Sequence, residues 1–373
     1  MNEARLRILL IGSPRCPIAQ PFAGGLESHV WHLARGLTQL GHEVTLFAGD
    51  GSDPTLGCAR HDAETFRPGP SARNDASMPA ENFLEDHHAY LKLMIDLTGS
   101  WSDTYDVVHN HSLHYLPVAM APAMPIPMLC TLHTPPTPWL ESALTVTRPR
   151  HPRFVAVSAH TAASWRHVVS DVTVVHNGVD LDRWAFGEGG DRAIWSGRIT
   201  PEKAPHLAID AARLAGYPIV VAGPISDPRY FADALVPRLG PDARYLGHLV
   251  ESDLATEIGR SAVALVTPEW DEPYGLVVAE ALACGTPVAA FARGGIPEVL
   301  TPDCGRLVHP GDVTALAAAI PEAAALSRGA ARARAQRACS QKSMLTAYLG
   351  CYRDLLSHPA GETPRPRAVT ADR

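Results

Sequence analysis

The chain has 373 residues, 46% of them hydrophobic, and a net charge of −7. This length exceeds one typical core and suits two domains. The acidic balance gives no support for a nucleic-acid partner, and no run approaches about 18 unbroken apolar residues, so no transmembrane helix is expected.

The seven cysteines, at 16, 58, 130, 284, 304, 339 and 351, are scattered and contain no C-x-x-C pair, which reads as reduced thiols in a cytoplasmic protein. Leu6 to Ile11 is an apolar run ended by Gly12-Ser13-Pro14. It has the pattern of a buried parallel strand, and it is too short and wrongly flanked for a signal peptide. Gly24-Gly25 precedes a predicted helix from Leu26 to Leu40, with Val30, Leu33, Leu37 and Leu40 on one face. Gly41 caps it, and Val44 to Ala48 is the next strand, completing a βαβ unit. The glycines do not form G-x-G-x-x-G, which disfavours a nicotinamide cofactor. A glycine pair before a helix serves either as a plain turn or as a close approach for a phosphate.

Residues 49–80 are rich in Gly, Pro, Asp, Ser and Asn. They read as a long irregular excursion with a short strand near Thr65-Phe66. A helix from Glu81 to Leu97 follows, then strands at Asp106–His109, Pro127–Leu132 and Phe154–Ser158, a helix from Ala159, and a strand at Val172–Val175. The alternation predicts a doubly wound α/β sheet. His87, His88, His109, His111, His114 and His133 cluster in this half. No cysteine or carboxylate completes a standard ligand spacing, so no metal site is expected. His133 differs from the rest, because it follows a strand at the carboxyl edge of the sheet, where open α/β sheets bind ligands. The turn His176-Asn-Gly-Val-Asp180 separates the halves, and the domain boundary is expected near residues 180–190.

The second half starts again with a strand at Ala193–Ser196 and a helix from about Ala204 to Leu214. Arg198 and Lys203 flank that helix start, where two cations and free N–H groups suit a diphosphate, or else stand as exposed basic residues. Strands at Ile219–Ala222, Val263–Thr267 and Gly305–Val308, a short extended piece at Arg244–Gly247, and helices at Glu251–Gly259, Val313–Leu326 and about Ser340–Leu356 complete the pattern. The tail after His358 is proline-rich and charged and is expected to be disordered.

The richest stretch runs from Trp270 to Glu298. A polar turn, Asp271 to Gly275, leads into a helix in which Leu276, Val277, Ala281 and Leu282 can form an apolar stripe. Glu272 and Glu280 are eight residues apart and can reach one small molecule. Between them, the N–H groups of Tyr274, Gly275 and Leu276 suit a phosphate or sugar oxygen. The alternative is a solvated Glu280 and a dipole-stabilised Glu272.

The segment PEWDEPYGLVVAEALACGTPV resembles the E-x7-E region of the retaining GT-B glycosyltransferases of family 4. GGLESHVWHLARGLTQLGHEVTLFA resembles the first βαβ of that family, and SGRITPEKAPHLAIDA its Gly-Arg to Lys-Gly segment, with Ala204 where Gly is frequent and expected to be tolerated. Thr131-Leu-His133 and the Asn177-Gly178-Val179-Asp180 turn fit its T-x-H and P-N-G-V-D patterns, with His176 for Pro.

The resemblance implies an α/β GT-B fold: two Rossmann-like domains facing a cleft. Residues 1–180 would bind the acceptor and 181–340 the nucleotide-sugar; a helix at 341–357 would cross back to the first domain. It implies transfer of a hexose, with retention, from a UDP-sugar or alternatively a GDP-sugar to a small molecule or glycan, with no metal and no cofactor. Arg198 and Lys203 would hold the diphosphate and stabilise the leaving group. Glu280 would hold the ribose. Glu272 and the amides of Tyr274, Gly275 and Leu276 would hold the sugar and a phosphate. His133 would contact the donor sugar, and the Gly24-Gly25 loop would complete the site. In the first half, Arg148 to Arg153 is the one compact basic run and its prolines preclude a helix, so stable membrane association is not expected. A GT-B nucleotide-sugar 2-epimerase and a non-catalytic nucleotide-sugar-binding protein are the competing readings.

Overall fold

The computed structural model of the chain describes residues 5–147 and 152–357. The tail at 358–373 and residues 148–151 of the basic run lie outside the described residues. Among the described residues, no helix is long and apolar enough to cross a membrane.

Two parallel sheets form. The first comprises β1 (Arg7–Ile11), β2 (Glu43–Ala48), β3 (Ala59–Asp62), β4 (Val107–Asn110), β5 (Met128–Leu132), β6 (Arg153–Ala156) and β7 (Val172–Val174), in the spatial order 3-2-1-4-5-6-7. The second comprises β8 (Ala193–Ser196), β9 (Ile219–Ala222), β10 (Ala243–Tyr245), β11 (Val263–Val266), β12 (Val288–Phe291) and β13 (Gly305–Val308), in the order 10-9-8-11-12-13. Both are doubly wound, with the order reversing beside the first strand of each half. The reason lies in the apolar runs: Ile8 to Ile11 and Val288 to Phe291 are wholly buried, as strands covered on both faces must be. This is the expected GT-B fold.

Several local readings differ. The Gly25–Gln39 helix buries Val30, Leu33 and Leu37, but Leu40 caps it and is 57% exposed, because Gly41 (φ 90°) already turns the chain towards β2. The strand in the 49–80 excursion is β3, not Thr65-Phe66; its sequence ARHD carries no apolar alternation because it is an edge strand paired only to β2. Phe66 stacks instead on His88, with ring centroids 4.7 Å apart. The helix Arg328–Ala338 was not expected at all. Its buried face is only Ala331 and Ala335, which give no apolar stripe. Its arginines hold it down: Arg328 donates to the carbonyls of Gly187, Gly259 and Ser261, and Arg334 to those of Glu298 and Val299.

The last helix, Gln341–Ser357, belongs to the second half by sequence but packs on the first sheet. Met344, Leu345, Tyr348, Tyr352 and Leu355 recur at helical spacing and join one core with Ile8, Leu10, Val30 and Leu37. The Tyr352 hydroxyl hydrogen-bonds His109 Nδ1 at 2.7 Å, and Gln341 Nε2 donates to the His32 carbonyl at 2.7 Å. Tyr352→Ala is therefore expected to cost the first domain about 3–5 kcal/mol in urea unfolding. A loss below about 1 kcal/mol would show that this helix does not complete that core.

Candidate active site

The carboxyl ends of the two sheets face each other across a cavity of about 480 Å³. The first domain contributes Gly24, Gly25, Glu27 and His133 to its walls. The second contributes Arg198, Lys203, Trp270 and Glu272, with Tyr274 to Leu276 and Glu280 alongside. Every residue assigned from the sequence to the donor site thus lines one space, although the first and last lie more than 250 positions apart.

Arg198 follows β8 and lies 3.6 Å from the Glu202 carboxylate, with 40% of its side chain exposed. Lys203 ends the single 3-10 turn Pro201–Lys203 and is more enclosed. Its ammonium pairs with the Glu272 carboxylate and sits 5.0 Å over the Trp270 ring, whose Nε1 donates to the same Glu272 oxygen at 3.1 Å. Lys203, Trp270 and Glu272 therefore form one charge-balanced group on the cavity wall. Ala204 corrects an expectation. It holds a left-handed backbone (φ 47°) between that turn and the Pro205–Leu214 helix, and its carbonyl accepts from Thr267 Oγ1 at 2.9 Å. A Cβ is unfavourable there, so alanine is held in place by its surroundings rather than freely accommodated.

The loop after β11 delivers Glu272, and the helix Leu276–Ala283 starts at Gly275, whose φ of 89° requires glycine. The first N–H groups of that helix have no intrahelical partner. The Tyr274 side chain is buried, with its ring 5.6 Å from that of His176, so its backbone is what it can offer a ligand. The predicted apolar stripe packs on the core but is part of a broader buried face. Val278, Ala279, Ala281, Leu282 and Ala283 are all buried, while Leu276 and Val277 are only partly buried and line the cavity.

Glu280 is nearly enclosed, at 8% exposure, which excludes the solvated reading. Burial, with a smaller contribution from the charge of Glu251, pushes its carboxyl up to about 8. Burial also works against ionisation of Glu251, but His32 at 2.8 Å and Arg183 outweigh it and hold Glu251 below the usual carboxylate range. The neighbouring carboxyls are thereby split, one charged and one neutral at pH 7. Glu27 is raised too, by burial.

Three histidines meet at the first domain's edge of the cavity. His111 Nδ1 and His133 Nε2 are 3.0 Å apart, and the His29 ring lies 5.2 and 5.0 Å from theirs. Burial drives all three below the ordinary histidine range, His29 to about 3, so each ring is neutral. From the sequence His133 stands apart at a strand end, whereas His111 stays among the other histidines and His29, Glu27 and Trp270 are passed over. Nothing in local spacing links His29 to His133; only the sheet order does.

The domains also touch around the cavity. Ser158 Oγ donates to the Pro273 carbonyl at 2.5 Å, and the N–H groups of Ala159 and His160 each reach the Glu298 carboxylate at 2.8 Å. His176, which replaces the usual proline, also pairs with Glu298, at 3.2 Å.

Two doubly wound α/β domains with their carboxyl edges facing a cleft have the GT-B arrangement, and comparison with known proteins agrees. Residues 23–183 match the model of Glycosyltransferase Family 4, and residues 180–339 that of Glycosyl transferases group 1. D-inositol 3-phosphate glycosyltransferase of Mycolicibacterium paratuberculosis is 31% identical over 400 residues, covering 89% of this chain and 86% of that protein. Glycogen synthase of Mycobacterium tuberculosis is 28% identical over 418 residues, 97% of each. Among solved structures, AviGT4, a glycosyltransferase involved in avilamycin A biosynthesis, gives a TM-score of 0.69 at 21% identity, over 96% of this chain and 100% of that one. Anabaena HepE in complex with UDP-glucose gives 0.73 at 16% identity, over 94% and 100%. The chain belongs to the family 4 glycosyltransferases.

Two measurements test Ala204 and Glu280. Ala204→Gly is expected to stabilise the chain by about 0.5–1 kcal/mol, by relieving the left-handed alanine; a destabilised variant would contradict the strain. Glu280 binds a proton on folding between its ordinary value of 4.5 and about 8, so its contribution to stability falls as pH rises through that window. Urea midpoints of Glu280→Gln should therefore gain on the wild type between pH 5 and pH 8.5. An unchanged difference would contradict the buried neutral acid.

Proposed function

We propose that the chain is a retaining hexosyltransferase that takes its sugar from a nucleotide-diphosphate donor, a UDP-sugar ahead of a GDP-sugar. The acceptor is a hydroxyl of a small molecule or glycan, and no metal takes part. One observation carries the reading: Arg198, Lys203, Glu272, Glu280 and His133, remote in sequence, converge on one cleft. The names of similar proteins support both parts, since HepE was solved with UDP-glucose and the curated relatives are a D-inositol 3-phosphate glycosyltransferase and a glycogen synthase.

In this reading the diphosphate enters between Arg198 and Lys203 and takes Lys203 from Glu272. The two cations stabilise the charge that develops on the leaving group, in a site already oriented for it. Glu272, released from its ion pair and still held by Trp270, accepts from sugar hydroxyls. Its existing partners favour that positioning role over attack on the anomeric carbon. Glu280 meets the ribose; as a neutral acid it can both donate and accept, which suits a pair of hydroxyls. His133 is uncharged, so it can hydrogen-bond the donor sugar without repelling an oxocarbenium-like transition state. The acceptor attacks from the face the leaving group departs, and the diphosphate carries away the proton.

Lys203→Ala and Arg198→Ala should each lower kcat by about 10²–10³ with the fold intact by circular dichroism. Proton NMR of the product formed from an α-linked donor should show an α-linkage. Wild-type turnover in both variants would remove the diphosphate clamp, and a β-linked product would remove retention.

A further inference from the structure

The histidines at the cavity edge have more capacity than sugar contact uses. His29, from the first helix, His111, after β4, and His133, after β5, bring one ring nitrogen each to within 4.8 Å of one another. All three are buried. His29 Nδ1 is buried and makes no close hydrogen bond, the Asn177 side chain being the polar group that acts on its ring. Such groups are costly unless something satisfies them.

We propose that His29, His111 and His133 form a binding site for a single transition-metal ion of the zinc class. Neutral imidazole is the form that ligates metal, and zinc prefers nitrogen ligands at 2.0–2.1 Å in tetrahedral array. That array sets its nitrogens about 3.3 Å apart. The pair His111 Nδ1 and His133 Nε2, at 3.0 Å, is close to that spacing, and only His29 must draw in. On binding, the proton shared by that pair moves to the outer nitrogen of its own ring, so each ligand stays neutral. His133 lines the cavity, which leaves the fourth position open to whatever the cleft holds. The site has no part in the transfer itself. An ion there would instead hold His133 away from a bound sugar, so it would act as a brake; that consequence, unlike the site, rests on the function proposed above.

The test uses the full chain and zinc chloride alone, with no nucleotide, so it stands apart from the test of function. Isothermal titration should give one zinc per chain, and His29→Gln and His111→Gln should each weaken it by about 100-fold or more. A Co2+ titration should show the visible bands of a tetrahedral nitrogen site. Because a buried histidine variant can fail to fold, the deciding measurement is on the unmutated chain: anomalous scattering at the zinc edge from a zinc-soaked crystal. A peak bounded by the three rings establishes the site. Absence of a peak there, or undiminished zinc binding by both folded variants, overturns it.

Discussion

The site depends on how the chain passes between its two domains. It crosses twice, once at Gly178-Val179 and once at Cys339 to Gln341, and the crossings are hydrogen-bonded to each other: Val179 N donates to the Cys339 carbonyl at 2.8 Å, and Gln341 N to the Val179 carbonyl at 2.9 Å. Gly178 is required there for space. A Cβ would lie 2.6 Å from Gln341 Cα and 2.7 Å from the Ser340 carbonyl oxygen. Past this crossing the last helix buries Tyr348 and Tyr352 in the first domain. The two sheets are therefore joined at a double hinge, with their carboxyl edges facing, and the contacts of Pro273, Glu298 and Glu251 are made around the cavity.

Within that frame the cleft is arranged by charge. Lys203 and Glu272 neutralise each other while no ligand competes, and Arg198 stays half open to solvent. Glu280 is neutral because its surroundings are apolar and Glu251 beside it is already charged. The histidines are neutral because they are buried together. Anion-binding charge is thus concentrated on the second domain's wall, with the neutral histidines and Glu27 opposite. A ligand with a charged middle and polar ends suits that division.

Much of this was legible in the sequence, for identifiable reasons. The continuous apolar runs of β1 and β12 announce strands covered on both faces, and their alternation with helices announces the sheets. Glu272 and Glu280 were legible as a pair because a loop and one helix separate them. Ala204 was not, because left-handed backbone at a non-glycine residue leaves no mark in composition. Gly178 was read as turn chemistry, whereas the reason is the second crossing, at Ser340 and Gln341. The helix Arg328–Ala338 was hidden because arginine-to-carbonyl bonds, not an apolar face, secure it. His29 was missed because only tertiary folding brings the first helix to the ends of β4 and β5.

The most direct test of the central claim is calorimetry of the purified chain with UDP, GDP, ADP and CMP, each with and without EDTA. One nucleoside diphosphate is expected to bind at a single site, with the same affinity in both conditions. Binding by none of the four would leave the fold standing and contradict the assignment of the cleft as a nucleotide-sugar site.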